Sequence, residues 1–219
     1  MVRKLDISDY NFVTIVEDLF NAKRLNDLHL STPIKYSELF QVGADSSTVF
    51  HKTFYDKYRK GWPEMEAEYR KLIQEIALTS TNFVYQKFPT FRVHLPKNIA
   101  VGAFHKDKDF NHPAGEINFI IPLTDSQGTA SVWVESKEDK GDYSPMKMNT
   151  DSLICFDGNN LTHGNKVNET GKTRVSMDFR ILPLACYNQA QAKESMTTKT
   201  KFTIGEYYIL YEDLKNGNS

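Results

Sequence analysis

The chain has 219 residues, 40% hydrophobic and 25% charged, with a formal net charge of −1 and a pI near 6.6. That length suits one domain with a substantial core, and the balanced charge excludes the basic footprint of a nucleic-acid binder or a ligand of acidic membranes. No apolar run approaches the ~18 residues of a membrane span, Met1-Val-Arg-Lys-Leu-Asp-Ile7 lacks the apolar stretch of a secretory signal, and two cysteines, Cys155 and Cys186, are too few for a disulfide framework, so a reducing, cytoplasmic setting is expected.

The first third reads as helix. Phe12, Ile15, Val16, Leu19 and Phe20 mark one face of a helix beginning near Asp9. A second is expected over 46–58, burying Val49, Phe50, Phe54 and Tyr58. A third starts after Gly61-Trp62, with Pro63 suited to its first position and Met65, Tyr69, Leu72, Ile73 and Ile76 as its apolar stripe. From Asn82 to Pro183 the texture changes to short β-favouring runs over 90–94, 100–104, 117–121, 130–134, 152–156 and 173–181. Turn-forming clusters such as His112-Pro-Ala-Gly115 and Asp157-Gly-Asn-Asn160 separate them. No helical pattern interrupts these runs, which argues for a sandwich or barrel rather than a parallel sheet. The expected fold is α+β in a single domain over 1–219. It comprises a helical bracing region (1–81), a jelly-roll core carrying the site (82–183), and a C-terminal tail (184–219) whose aromatic end packs back.

Of six histidines, four have plain structural readings: His29 and His51 in the helical third, His94 in a strand, His112 before a turn. His105 and His163 belong to a pattern. His105-Lys-Asp107 follows a short apolar run, and strand alternation puts residues 105 and 107 on one face. His163 lies beyond a strand and a Gly-Asn-Asn turn. Two histidines and a carboxylate converging from neighbouring strands make the facial triad of non-haem Fe(II) oxygenases, with three coordination positions open. His105, Asp107 and His163 are thus the candidate catalytic and metal-binding residues. Downstream, Arg174, Ser176, Asp178 and Arg180 share one strand face. An inward Arg174 with Ser176 would clamp a carboxylate through charge-assisted hydrogen bonds, which points to 2-oxoglutarate as co-substrate alongside O2. A pairing of Arg174 with Asp178 stays open.

The order His105-x-Asp107, His163, Arg174-x-Ser176 resembles the Fe(II)/2-oxoglutarate-dependent dioxygenase superfamily. The longer phrases Gly115-Glu-Ile-Asn-Phe-Ile-Ile-Pro-Leu-Thr124, Val132-Trp-Val-Glu-Ser136 and Thr173-Arg-Val-Ser-Met-Asp-Phe-Arg180 look like its StrG-like group, over roughly residues 85 to 183. The resemblance implies a double-stranded β-helix, iron held by His105, Asp107 and His163, and 2-oxoglutarate held by Arg174 with help from Ser176. An aspartate at 107 fills the place a halide would need, which disfavours halogenation; hydroxylation with release of succinate and CO2 is expected over desaturation or ring closure only because it is the commoner outcome.

Alternation also places Glu116, Asn118 and Ile120 together. Buried, Asn118 could bind the co-substrate and Glu116 the substrate or a ligand histidine; a structural hydrogen-bond network is the other reading. Arg92 and Trp133 are further candidates for substrate contact, with Tyr85 and Phe104 as possible aromatic neighbours. His112 and Glu116 with His105 and His163 would form a different, cupin-like metal set without 2-oxoglutarate. A non-catalytic jelly-roll module for sugars or peptides is the remaining alternative. The expected partner is a small molecule (an amino acid, a sugar or a peptide-like compound), with no nucleic acid and no membrane.

Overall fold

The three apolar stripes become three helices in the computed structural model, which describes residues 3–31, 48–77, 81–100, 103–196 and 198–215. Helix α1 (Phe12–Phe20) ends where Asn21 turns left-handed (φ 49°) and its N–H returns to Asp18 O. Helix α2 (Val49–Arg59) buries Phe50, Phe54 and Tyr58, while Val49 is exposed; residues 46 and 47 of the expected helix lie outside the described residues. Helix α3 (Pro63–Ile76) starts on Pro63, with Glu64 and Glu66 in its positive first turn. Among the described residues, no helix is long and apolar enough to cross a membrane.

The strands are β1 (Arg3–Asp6), β2 (Phe83–Gln86), β3 (Thr90–His94), β4 (Ile117–Pro122), β5 (Trp133–Val134), β6 (Ser144–Pro145), β7 (Ser152–Phe156), β8 (His163–Gly164), β9 (Arg174–Pro183) and β10 (Tyr208–Leu210). The described residues end in a short helix, α4 (Tyr211–Lys215). The large sheet runs β1-β7-β4-β9-β2-β10, and β3 also pairs with β9; a second sheet runs β6-β5-β8. Every strand pairing within them is antiparallel. The ten-residue β9 organises the large sheet. One of its edges pairs with β4, and the other with β3 at Arg174–Asp178 and then β2 at Ile181–Pro183.

Period-two alternation sorts the two faces of β9. Val175, Met177, Phe179 and Ile181 pack with Phe91, Val93 and Phe119 under the helices. Phe54 of α2 stacks on Phe91 of β3 with centroids 4.2 Å apart; burying an aromatic of this kind contributes about 1.5–3 kcal/mol. On the opposite face, Ile120, Ile154 and Phe156 meet Val132, Val134, Met146, Met148 and Leu161. Helices therefore cover one face of the large sheet and the small sheet covers part of the other. In the tail, Phe202 and Tyr208 pack on Val84 and Leu182. Cys155 is half-buried, Cys186 is exposed, and neither forms a disulfide.

Three details differ from the sequence expectation. Strand β1 was not foreseen in the helical third; it is a four-residue edge strand held by its backbone ladder to β7, with Leu5 exposed, so no burial pattern marks it. The run expected over 130–134 contracts to Trp133–Val134, because Gly128–Ala130 forms a 3-10 turn. In the run expected over 100–104, residues 101 and 102 lie outside the described residues, and 103–104 are not strand.

Candidate metal centre

His105 and Asp107 do not share a strand face. His105 makes an isolated antiparallel bridge to His163, N–H to carbonyl in both directions at 2.9 Å, and Asp107 opens a 3-10 turn (Asp107–Phe110). Asp107 N–H donates to Gly158 O at 2.9 Å, so the backbone carrying all three candidate ligands is tied to one segment around 158–163. Upstream of His163, buried Glu135 accepts the Thr162 N–H at 2.6 Å and the Gly141 N–H at 3.1 Å, which fixes the loop entering β8.

The side chains converge. His105 Nδ1 lies 2.8 Å from Ala103 O, and His163 Nδ1 lies 3.0 Å from Leu161 O. A carbonyl only accepts, so each Nδ1 carries the proton and each Nε2 presents its lone pair. Both Nε2 atoms stand 3.6 Å from Asp107 Oδ1. Ligands about 2.1 Å from a common ion are separated by roughly 3.0–3.6 Å at angles of 90–120°, so these atoms fit one metal ion. Among the described residues this is the one group of three or more potential ligands with atoms within 4.8 Å of each other.

The second carboxylate oxygen is fully engaged. Asp107 Oδ2 accepts from Arg180 Nε at 3.0 Å, Arg180 Nη2 at 2.8 Å and Asn118 Nδ2 at 2.7 Å. Burial by itself pushes the Asp107 carboxyl up, but the Arg180 guanidinium beside it, together with the histidines, holds it well below the usual carboxylate range. Burial lowers His163, against the pull of Asp107. Burial also disfavours charge on His105, but its hydrogen bonds and the Asp107 charge outweigh this and raise it.

The group opens into a cavity of about 950 Å³. Arg92, Asn118, Arg174, Ser176, Asp178 and Arg180 line it together with His105, Asp107 and His163. Arg174 and Ser176 are 3% and 2% exposed, deep in the wall. Arg174 stands opposite His94, whose pKa is pushed down to about 4 by burial and by the Arg174 charge. Asp178, the alternative partner considered for Arg174, binds Arg92 Nε at 2.8 Å and Arg180 Nη1 at 3.3 Å.

The other candidate residues have partners of their own. Glu116 is not on the cavity wall: it is 2% exposed, bound to His112 Nδ1 at 2.6 Å and to the Tyr208 hydroxyl. His112 and Glu116 bind each other, and neither belongs to the group of potential ligands formed by His105, Asp107 and His163. Trp133 also lies off the wall; its indole N–H donates to Gly128 O at 3.1 Å and Lys166 Nζ sits 3.4 Å above its ring. Tyr85 belongs to the core under the helices, and Phe104 packs on Tyr143. Asn118, expected to reach a co-substrate, lies on the cavity wall and gives one amide N–H to Asp107. Arg180 is the residue for which the sequence reading assigned no role. Its place on the Arg174, Ser176, Asp178 face was visible, but not its partner.

No protein-family profile matches the chain. Among solved structures, AviO1 from Streptomyces viridochromogenes Tue57 aligns with a TM-score of 0.48 at 13% identity, covering 85% of this chain and 91% of its own. A nickel complex of the non-haem monooxygenase ThoJ gives 0.45 at 9% identity, covering 82% and 73%. Likenesses this remote speak to neither activity nor substrate. In sequence, the chain is 33% identical over 206 residues to the streptomycin biosynthesis protein StrG of Streptomyces griseus, spanning 94% of this chain and 95% of that protein. With that identity sustained along nearly the whole of both proteins, the chain belongs to the StrG family.

Proposed function

We propose that the protein is a non-haem Fe(II)/2-oxoglutarate-dependent oxygenase that hydroxylates a small polar metabolite, releasing succinate and CO2. The observation that carries this reading is the convergence of two histidine Nε2 lone pairs and one carboxylate oxygen, at 3.6 Å, on a cavity that also holds a buried Arg and Ser. Imidazole with carboxylate suits ferrous iron, and no thiolate lies in the cavity wall to favour a softer ion. We take the two-sheet core as a double-stranded β-helix of jelly-roll type, working as one domain with its helical brace and tail.

In this reading His105, Asp107 and His163 hold the iron, which with 2-oxoglutarate and O2 supplies the oxidising power for an unactivated C–H bond. Arg174 and Ser176 bind the distal carboxylate of 2-oxoglutarate: the guanidinium provides charge and paired donors, and the hydroxyl one more. The low pKa of His94 keeps the neighbour of Arg174 neutral, so the pocket's positive charge stays on the guanidinium. Arg92, a quarter exposed on the same wall, faces the space left for substrate. A cavity of about 950 Å³ accommodates a co-substrate and a small second molecule. The relative's name ties that protein to streptomycin biosynthesis, and we extend from it a role in building a small polar metabolite.

Anaerobic addition of Fe(II) and 2-oxoglutarate should produce the weak visible charge-transfer band of the chelate. Arg174→Ala should raise the 2-oxoglutarate concentration needed for that band while leaving Fe(II) binding intact. No band at saturating iron and keto acid would sink the proposal. Equal loss of both affinities would make Arg174 structural.

A further inference from the structure

A carboxylate can ligate a metal through one oxygen or both, and the choice decides how many positions remain. In Asp107 the two oxygens are treated differently. Arg180 places Nε and Nη2 on the same atom, Oδ2, at 3.0 and 2.8 Å, and Asn118 Nδ2 adds a third donor at 2.7 Å. Three donors saturate the lone pairs of Oδ2, and Oδ1 faces the two Nε2 atoms. Arg180 is itself held rigidly. Its Nη1 reaches Asp178 Oδ2 at 3.3 Å and the Tyr207 hydroxyl at 3.5 Å, its Nε lies 3.8 Å from Glu116 Oε2, and its side chain is 9% exposed.

We propose that Arg180 is a positioning residue that restricts Asp107 to one-oxygen ligation and so keeps a coordination position open. On a six-coordinate ion, two histidines and one oxygen leave three positions, enough for a chelating keto acid and one more. If Asp107 swung to bind through both oxygens, the keto acid would fill the remaining two and none would be left for the oxidant. The inference rests on the metal-site reading above and extends it to a residue that acts through Asp107.

The test uses Co(II) as a spectroscopic stand-in on the full chain, in wild type, Arg180→Met and Arg180→Lys, with folding followed by circular dichroism. Arg180→Met should weaken Co(II) binding about 10–100-fold, the usual cost of removing a residue that orients a ligand, and shift the cobalt d–d bands. Arg180→Lys, which keeps the charge but cannot put two donors on one oxygen, should recover part of the affinity and still show shifted bands. In an Asp107→Ala background, Arg180→Met should change affinity less than about twofold, because its action runs through Asp107. Folded variants with wild-type affinity and bands, or the same loss with and without Asp107, would overturn the proposal. If Arg180→Met does not fold, Arg180→Lys decides alone: unshifted bands refute it. Wild type that binds no Co(II) would remove the metal reading and this inference together, whereas wild type that binds while the variants match it removes this inference alone.

Discussion

Gly158 sits where any larger residue would disturb the metal centre. A Cβ there would fall 2.7 Å from both Cγ and Nδ2 of Asn118 and 2.9 Å from its Oδ1. Asn118 is 4% exposed and its Nδ2 is bound to Asp107 Oδ2 at 2.7 Å, so the amide can only retreat by giving up that bond. Restoring ordinary contact needs a shift of roughly 0.7–1 Å, which stretches the hydrogen bond to about 3.4–3.7 Å, at or past its useful limit. Losing a hydrogen bond to a charged group costs about 1.5–3 kcal/mol, and overpacking adds about 1–3. The lower entropy of the unfolded alanine chain returns about 0.4–1. Gly158→Ala should therefore destabilise by about 1.5–5.5 kcal/mol, a drop in Tm of roughly 3–22 °C for a chain of this length. Scanning calorimetry of Gly158→Ala, Asn118→Ala and the double variant measures this. With the amide gone the new methyl has room, so the double variant should be little worse than Asn118→Ala alone. Equal effects of Gly158→Ala in both backgrounds, or a Tm within about 2 °C of wild type, would refute the reasoning.

Two further outcomes follow from the buried polar groups. His94 and His51 are held near pKa 4 and 3, by burial first and then by the Arg174 and Arg92 charges respectively, against 6.5 when unfolded. Both are neutral when folded, so below pH 6.5 only the unfolded chain takes up their protons. Their contribution is complete above about pH 6.5 and falls as pH drops toward 4, by about 1.4 kcal/mol per pH unit for each histidine. Urea unfolding from pH 7 to 4.5 should show this slope, and His94→Gln, which can still donate to Asn98 O, should reduce it by one proton; an unchanged slope would contradict the assignment. Separately, Glu135→Ala deprives the Thr162 and Gly141 N–H groups of their acceptor. It should cost about 1–3 kcal/mol and loosen the segment entering His163. An unfolding midpoint equal to wild type would show that the loop does not depend on it.

Much of this protein could be read along the chain. The stripes of α1, α2 and α3 depend only on 3.6-residue periodicity, and the sorting of Arg174, Ser176, Asp178 and Arg180 from Val175, Met177 and Phe179 depends only on the pleat. The grouping of His105, Asp107 and His163 was legible for the same local reason, a short motif and a histidine beyond a turn, although the geometry joining them is a bridge and a 3-10 turn rather than a shared strand face. Periodicity assigns a side chain to a face and says nothing of what meets it there. The edge strand β1, with no buried stripe, therefore left no signature. Glu116 and Asn118, alike in the alternation, parted company: the returning tail brought Tyr208 to Glu116, and Asp107 claimed Asn118. Arg180 shared its strand face with Arg174, yet only packing across β4, β9 and the 107 turn decided that its guanidinium would close on one oxygen of Asp107. Such partnerships join residues far apart in sequence and are selected by the high cost of burying a charge alone, so they are settled by the folded neighbourhood and not by the local pattern.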